Sequence, residues 1–353
     1  MTRKSRKLDH LRQALVLDDG PADAGFADLT LVHNCLPEMN INKVTTATEC
    51  AGLALRHPLI INAMTGGAVA LTEVNGRLAE VAKRTDAVMA VGSQFAALEF
   101  PEVADSFKVV RQINPTGIVW ANIGAYATVD AAKRVVDMLA ADALQIHLNA
   151  AQEISMLEGD GDFSQWLRRI EEMARSLPVP VIVKETGCGM ALEQVRQLAG
   201  TGIRAVDVGG AGGTNFIAIE TARTGRRLPD DLLGWGIPTA VSALEAASVL
   251  TPAVDLIVSG GVRTPVDTMK CFAIGAKAVG IAAPIVRLTE QQGVEAAVAW
   301  IREYVATIRK LTMMLGKATI AELSLHPLVI TGRAAQWLTA REISVERYAR
   351  RPG

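Results

Sequence analysis

VDLIVSGGVRT (254–264) and, one helical stretch later, KAVGIAAP (277–284) decide the fold of this 353-residue chain. Both are runs of β-branched and aliphatic residues that stop at small residues, as strands do where they enter a loop. Working outward, the same pattern recurs in LIINAMTGG (59–67), AVMAVGSQ (87–94), GIVWANIG (117–124), DALQIHLN (142–149), PVIVKETG (180–187) and AVDVGGAG (205–212). Between them lie segments such as TEVNGRLAEVAKR, VDAAKRVVDMLAA, SQWLRRIEEMARS, ALEQVRQLAG and TPVDTMKCFAIGA, with apolar residues at helical spacing and charge opposite. Several begin with a Ser, Thr or Asp placed to cap a first turn. About eight βα units is the number that closes a TIM (β/α)8 barrel. An open doubly wound sheet is the rival, but it usually carries its glycine-rich turn after the first strand. Here the glycines gather after strands six, seven and eight.

The rest of the chain is arranged around that core, 59–285, in a single domain. Within the extension 1–58, residues 29–58 read as a strand-rich cap across the barrel bottom. Residues 217–240 lengthen the connection after strand six to the size of a lid loop. Residues 286–353 read as helices packed outside the barrel. Lys plus Arg number 36 against 37 Asp plus Glu, so no global field draws the chain to nucleic acid or a membrane surface. No apolar run approaches the ~20 residues that span a bilayer. Cys35, Cys50, Cys188 and Cys271 lack CxxC spacing and read as reduced thiols, so a cytoplasmic protein is expected. Barrels of this type commonly assemble, and a homo-oligomer, tetramer or octamer, is the expectation.

In a TIM barrel the chemistry sits where the strands end, so polar residues there carry more weight than those in helices. SGGVRT after strand seven, the Ala282-Ala283 turn after strand eight and GGAGGT (209–214) let backbone N–H groups approach an anion, with Arg263 adding charge. An ordinary tight turn is the alternative for any one of them. Lys184 ends the apolar run VIVK and either faces an electron-rich group or pairs with Glu185 or Asp207. Ser93 and Asn122 are suited to reading a heterocycle edge. Together these outline a flat phosphorylated heterocycle across the mouth, a description that FMN fits. HLNAAQE (147–153) sets four polar side chains at the exit of strand four, beyond what a helix-capping turn requires.

The blocks RKxDH (6–10), MTGG (64–67), GSQ (92–94), HLNxxQE (147–153), VKETGxG (183–189), DVGGxGGTNF (207–216), WGIPT (235–239) and SGGVR (259–263) span nearly the whole chain. In that order they resemble the type 2 isopentenyl-diphosphate isomerases, flavoenzymes that interconvert isopentenyl and dimethylallyl diphosphate. The resemblance implies FMN, Mg²⁺, and NADPH or another reductant that keeps the flavin reduced. It implies that Ala63, Met64, Thr65, Ser93, Asn122, Lys184 and Thr214 hold the flavin and ribityl chain. Gly260, Gly261, Val262, Ala282 and Ala283 would meet its phosphate, with Arg263 adjacent. Arg6, Lys7 and His147 look like diphosphate binders, Gln152 the residue over the alkene, and Glu153 the magnesium ligand; Asn149 beside them is expected to bind substrate, orienting Gln152 or a diphosphate oxygen. The basic N-terminal segment is expected to fold over the mouth when diphosphate binds, or to reach a neighbouring subunit. Phe95 stands where some relatives carry a basic residue, which would remove one diphosphate contact.

A carboxylate approaches a diphosphate only through a divalent cation, which is the task expected of Glu153. Gln152 is neutral and no strong acid, which favours reduced flavin as acid and base. The rival enzyme on this barrel, an FMN-dependent 2-hydroxy-acid oxidase or dehydrogenase, needs a histidine near strand seven, and DLIVSGGVRT has none. Nucleotide-type dehydrogenases need a cysteine in the strand-six loop, also missing. A flavin-binding regulatory protein would have little reason to place Glu153 beside Gln152.

Overall fold

The barrel follows from strand periodicity. Its eight strands are β1 (Leu59–Ile61), β2 (Val88–Ala90), β3 (Val119–Gly124), β4 (Ala143–Leu148), β5 (Val181–Glu185), β6 (Ala205–Asp207), β7 (Asp255–Ser259) and β8 (Ala278–Ile281). All pair in parallel, and β8 closes on β1. The structure is a computed structural model that describes residues 3–17, 20, 22–225 and 228–352. Alternate residues on a strand face opposite sides. Thus Leu144, Ile146, Val181, Val183, Leu256 and Val258 pack outward in the main core, against the surrounding helices.

Inward-facing residues form two layers. The lower one is apolar, with Ile60, Val88, Trp120, Ala143, Ile182 and Ile257, and it is plugged by Cys50, Ala51 and Leu55. Those three belong to the hairpin Thr48–Cys50/Leu53–Leu55 from the N-terminal extension, where a strand-rich cap was expected. The upper layer is polar: Asn62, Asn122, Gln145, Asp207 and Ser259 are all buried. A water-excluded polar layer needs its hydrogen bonds satisfied internally, and it forms the floor of the mouth.

Four helices border that mouth: α1 (Arg3–Val16), α2 (Ala150–Ser155), α3 (Phe216–Thr224) and α4 (Ala283–Gln292). The segment 217–240, expected to be a lid loop, is largely helical where described: α3, then Asp230–Leu233, with Thr239 opening a further helix. Asn215 makes the difference. Its Oδ1 accepts from the Ala218 N–H at 3.0 Å, starting α3, and its Nδ2 donates to the Leu233 carbonyl at 2.6 Å. The N-terminal segment also differs from a tail that folds over on binding. It is already the helix α1, packed on α3 and α4. Arg287 of α4 donates to the carbonyls of Ala14 (2.7 Å) and Leu17 (2.6 Å), satisfying the otherwise orphaned end of that helix. Beyond α4 the chain is mainly helical, as expected, apart from Leu328–Ile330, which pairs with Leu29–Leu31.

Candidate active site

The strand exits open into one cavity with about 1240 Å³ of space, its solvent-facing part included. Lys7, Ala63, Met64, Ser93, Asn122, His147, Asn149, Gln152, Glu153, Lys184, Thr214, Gly260, Gly261, Arg263, Ala282 and Ala283 all line it. Two of the residues expected there do not: Thr65 is buried and bonds Asn75, and Val262 is buried behind its loop. The side chain of Arg6 lies outside the described residues.

The anion cradle is built from backbone. At Gly260 and Gly261 φ is +97° and +69°, where side chains are strained, and a Cβ on Gly213 would lie 2.6 Å from the Gly261 nitrogen. The loops after β6 and β7 therefore touch through bare backbone. Beside them α4 begins at Ala282 and Ala283 with no side-chain cap, so its positive dipole end meets the cavity. Burial first, then the neighbouring Arg287, pushes the Arg263 guanidinium below its ordinary value. The Arg263 guanidinium beside the positive end of a helix makes a site that gains from an anion. Gly213→Ala is expected to lower bound flavin at least about tenfold through a backbone shift costing about 1–3 kcal/mol. Flavin absorbance of the purified variant measures this, and full occupancy would dismiss the cradle.

Lys184 keeps protein partners while facing the cavity. Nζ donates to the Glu185 carbonyl at 2.5 Å and to Ser259 Oγ at 3.4 Å, and it stands 3.9 Å from Asp207 Oδ2 while facing the cavity. The Glu185 carboxylate turns instead into its own loop, accepting the N–H groups of Gly187, Cys188 and Gly189. Burial and Glu185 push the Cys188 thiol up to about 12, so it is no nucleophile at neutral pH. His147 is held neutral: burial, then Lys7 and Lys184, bring it down to about 3. Its Nδ1 is 2.8 Å from Asn122 Oδ1.

On α2, Glu153 Oε1 accepts from Asn149 Nδ2 at 2.8 Å and Oε2 from the Asp160 N–H at 3.1 Å. Asn149 Oδ1 is buried beside them with no hydrogen-bond partner. Among the described residues no group of three His, Cys, Asp or Glu could hold a metal by itself. The donors present fit Mg²⁺ only as an ion shared with an anionic ligand, its usual habit. Phe95 packs edge-to-face on Tyr126 at 5.0 Å, and together with Met156 and Phe216 they give the cavity an apolar side.

The chain is 46% identical to an isopentenyl-diphosphate delta-isomerase of Geobacillus sp. (strain WCH70), over 99% of each. It is 42% identical to one from Symbiobacterium thermophilum, over 99% of this chain and 98% of that one. The chain belongs to the isopentenyl-diphosphate delta-isomerase family. The FMN-dependent dehydrogenase pattern matches residues 131–329, which makes this family member a flavoprotein of the FMN class. Solved structures agree on the fold: a lactate oxidase of Pediococcus acidilactici superposes with TM-score 0.66 at 16% identity, covering 92% of this chain and 87% of that one. A mandelate oxidase bearing an FMN adduct gives 0.64 at 13%, covering 90% and 95%. Identities this low speak for the barrel alone.

In this isopentenyl-diphosphate delta-isomerase family chain, sequence reading missed Glu220 and gave His10 no role. Glu220 is fully buried on α3. Its Oε1 accepts from Gln152 Nε2 at 2.9 Å and lies 2.6 Å from His10 Nε2 of α1, while Oε2 accepts from Arg223 Nε at 2.7 Å. Burial raises this carboxyl, but His10, Gln152 and Arg223 together outweigh it and hold it down to about 2. A carboxylate only accepts, so Gln152 must turn its NH₂ towards Glu220. The signal in the sequence was a lone acid within FIAIE, an otherwise apolar turn.

Proposed function

We propose that this enzyme interconverts isopentenyl and dimethylallyl diphosphate, the reaction its relatives are named for. The observation that carries the reading is that Glu153 and Lys184, on different strand exits, open onto one cavity. FMN fits the glycine cradle by its phosphate, and Lys184 is placed to stabilise negative charge on a reduced ring. Reduced FMN, when bound, supplies the acid and base that move a proton between two carbons; NADPH is the proposed reductant.

The chain's own residues do the rest. Lys7, Arg6 and His147 hold the diphosphate, and Glu153 reaches it through Mg²⁺. Asn149 orients Glu153. Gln152, its NH₂ tied to Glu220, presents its carbonyl oxygen towards the alkene, where a dipole can stabilise developing positive charge without competing as an acid. Phe95, Tyr126 and Met156 keep water from that charge. The 2-hydroxy-acid oxidase reading has no comparable support, since the β7 exit, DLIVSGGVRT, carries no histidine. In the test, FMN-loaded protein receives isopentenyl diphosphate and Mg²⁺ with and without anaerobic reduction. Dimethylallyl diphosphate is expected only in the reduced sample, and equal product in both would overturn the mechanism. Gln152→Ala is expected to retain FMN while kcat falls about a hundredfold; unchanged kcat would make the side chain a bystander.

A further inference from the structure

Part of the barrel's polar layer has no task in the reading above. From Asp207 one row of hydrogen bonds crosses the interior to His147. Asn62 Nδ2 donates to Asp207 Oδ2 at 2.8 Å, Gln145 Nε2 to Asn62 Oδ1 at 3.1 Å, and Asn122 Nδ2 to Gln145 Oε1 at 2.9 Å. Asn122 Oδ1 then meets His147 Nδ1 at 2.8 Å. Room for the row is made by Gly280, where a Cβ would lie 2.3 Å from Asn62 Nδ2.

An amide can ordinarily be turned end for end, and an imidazole carries its neutral proton on either nitrogen. Here one backbone group removes that freedom. The Ala63 N–H donates to Asn62 Oδ1 at 2.9 Å, which identifies that atom as the oxygen. Asn62 therefore gives its NH₂ to Asp207 and its oxygen to Gln145. Gln145 must offer NH₂ to Asn62 and oxygen to Asn122, and Asn122 is left with its oxygen against the ring. An oxygen there demands a donor, so the neutral ring carries its proton on Nδ1. Nε2 is then a lone pair, which repels an anionic oxygen.

We propose that Asn62, Gln145 and Asn122 are positioning residues that lock His147 in its Nδ1–H form, so that the ring holds a diphosphate oxygen through Nε2 only by taking up a proton as the ligand docks. The ligand in this proposal rests on the function proposed above; the tautomer does not. Lys7 of α1 and Lys184 of β5 are the charges that face the ring, and with burial they oppose its protonation, while the Ile123 carbonyl favours it. A multiply charged anion reverses that balance. The site thus avoids burying a third cation when empty and supplies one when the diphosphate arrives.

The chain has 5 histidines, few enough to assign each by single substitution in FMN-loaded protein labelled with ¹⁵N-histidine. Without ligand, long-range ¹H–¹⁵N correlations are expected to show His147 with a protonated Nδ1 and bare Nε2, unchanged down to about pH 5. Saturating inorganic diphosphate with Mg²⁺ should move both nitrogens to protonated positions. Calorimetry in buffers of differing ionisation heat should then find uptake of about one proton more than His147→Gln takes up. Gln145→Met, which breaks the row two residues from the ring, is expected to shift His147 towards the Nε2–H form with FMN retained. A ligand-free parent carrying its proton on Nε2 overturns the relay, whatever the variant does. A ring that stays neutral beside bound diphosphate overturns the proton coupling. If His147 ignores diphosphate altogether, the diphosphate reading fails, and the ligand-free tautomer still decides the relay.

Discussion

Glu220→Gln is expected to lower kcat at least about a hundredfold while FMN stays bound, because a misoriented group near the reacting atoms costs that much even when present. The buried carboxylate holds Gln152 by its NH₂, ties down His10 of α1 and neutralises Arg223, which also donates to Glu158 at 2.7 Å. A glutamine at 220 can donate as well as accept, so Gln152 regains the freedom to turn its NH₂ to the cavity. Its loss also leaves His10 and Arg223 facing a neutral group, at a cost in stability of about 3 kcal/mol. The pH dependence carries a definite sign. The folded-state value of Glu220, about 2, lies below the ordinary 4.5. Its stabilisation is therefore complete above 4.5 and is lost as pH falls through the folded value. Parent and variant should differ most in denaturant midpoint at neutral pH and converge only in that acid window. Steady-state kinetics with an FMN assay would separate positioning from cofactor loss, and activity within about twofold of the parent would dismiss the role.

What the sequence disclosed and what it withheld divide along physical lines. Barrel strands are buried on both faces, so LIINAM, GIVWANIG and VDLIVSGG stand out as predominantly apolar runs, and the bare backbone between the loops after β6 and β7 leaves its trace as glycines. The polar layer was legible in principle. Gln145, His147 and Asn149 fall at every second position, hence on one face, and Gln145 lies two residues before the block HLNAAQE begins. Asn62 and Asp207 each interrupt an apolar run once, which period alone cannot distinguish from a strand end. Glu220 was hidden for another reason. Its helix is started by Asn215 and closed against Leu233, contacts between residues 18 apart that no local pattern reveals, so the segment resembled a lid. Thr65, which adjoins the cavity-lining Met64 in MTGG, turns away because Asn75 offers it a buried partner.

Glu153→Gln is the complementary experiment, since it removes charge from the cavity without disturbing the flavin cradle on the far strands. Glutamine keeps the length of the side chain and an oxygen for the Asp160 N–H, 3.1 Å away in the parent. It loses the anion that Mg²⁺ requires and places an NH₂ where Asn149 Nδ2 now donates at 2.8 Å. Among the described residues no group of three His, Cys, Asp or Glu offers another metal site, so no such group takes over the ligand role. The ion would then be held by substrate oxygens and water alone, and altered metal ligation commonly costs about 10–100-fold in affinity. The expected result is full FMN occupancy, a Mg²⁺ requirement moved to at least about tenfold higher concentration, and kcat/KM reduced about a hundredfold. A Mg²⁺ titration of activity, run beside flavin absorbance, distinguishes this from a general loss of structure. Should the variant show the parent's Mg²⁺ dependence, the cation binds elsewhere, and the polar exit of β4 must serve the diphosphate through His147 and Asn149 alone.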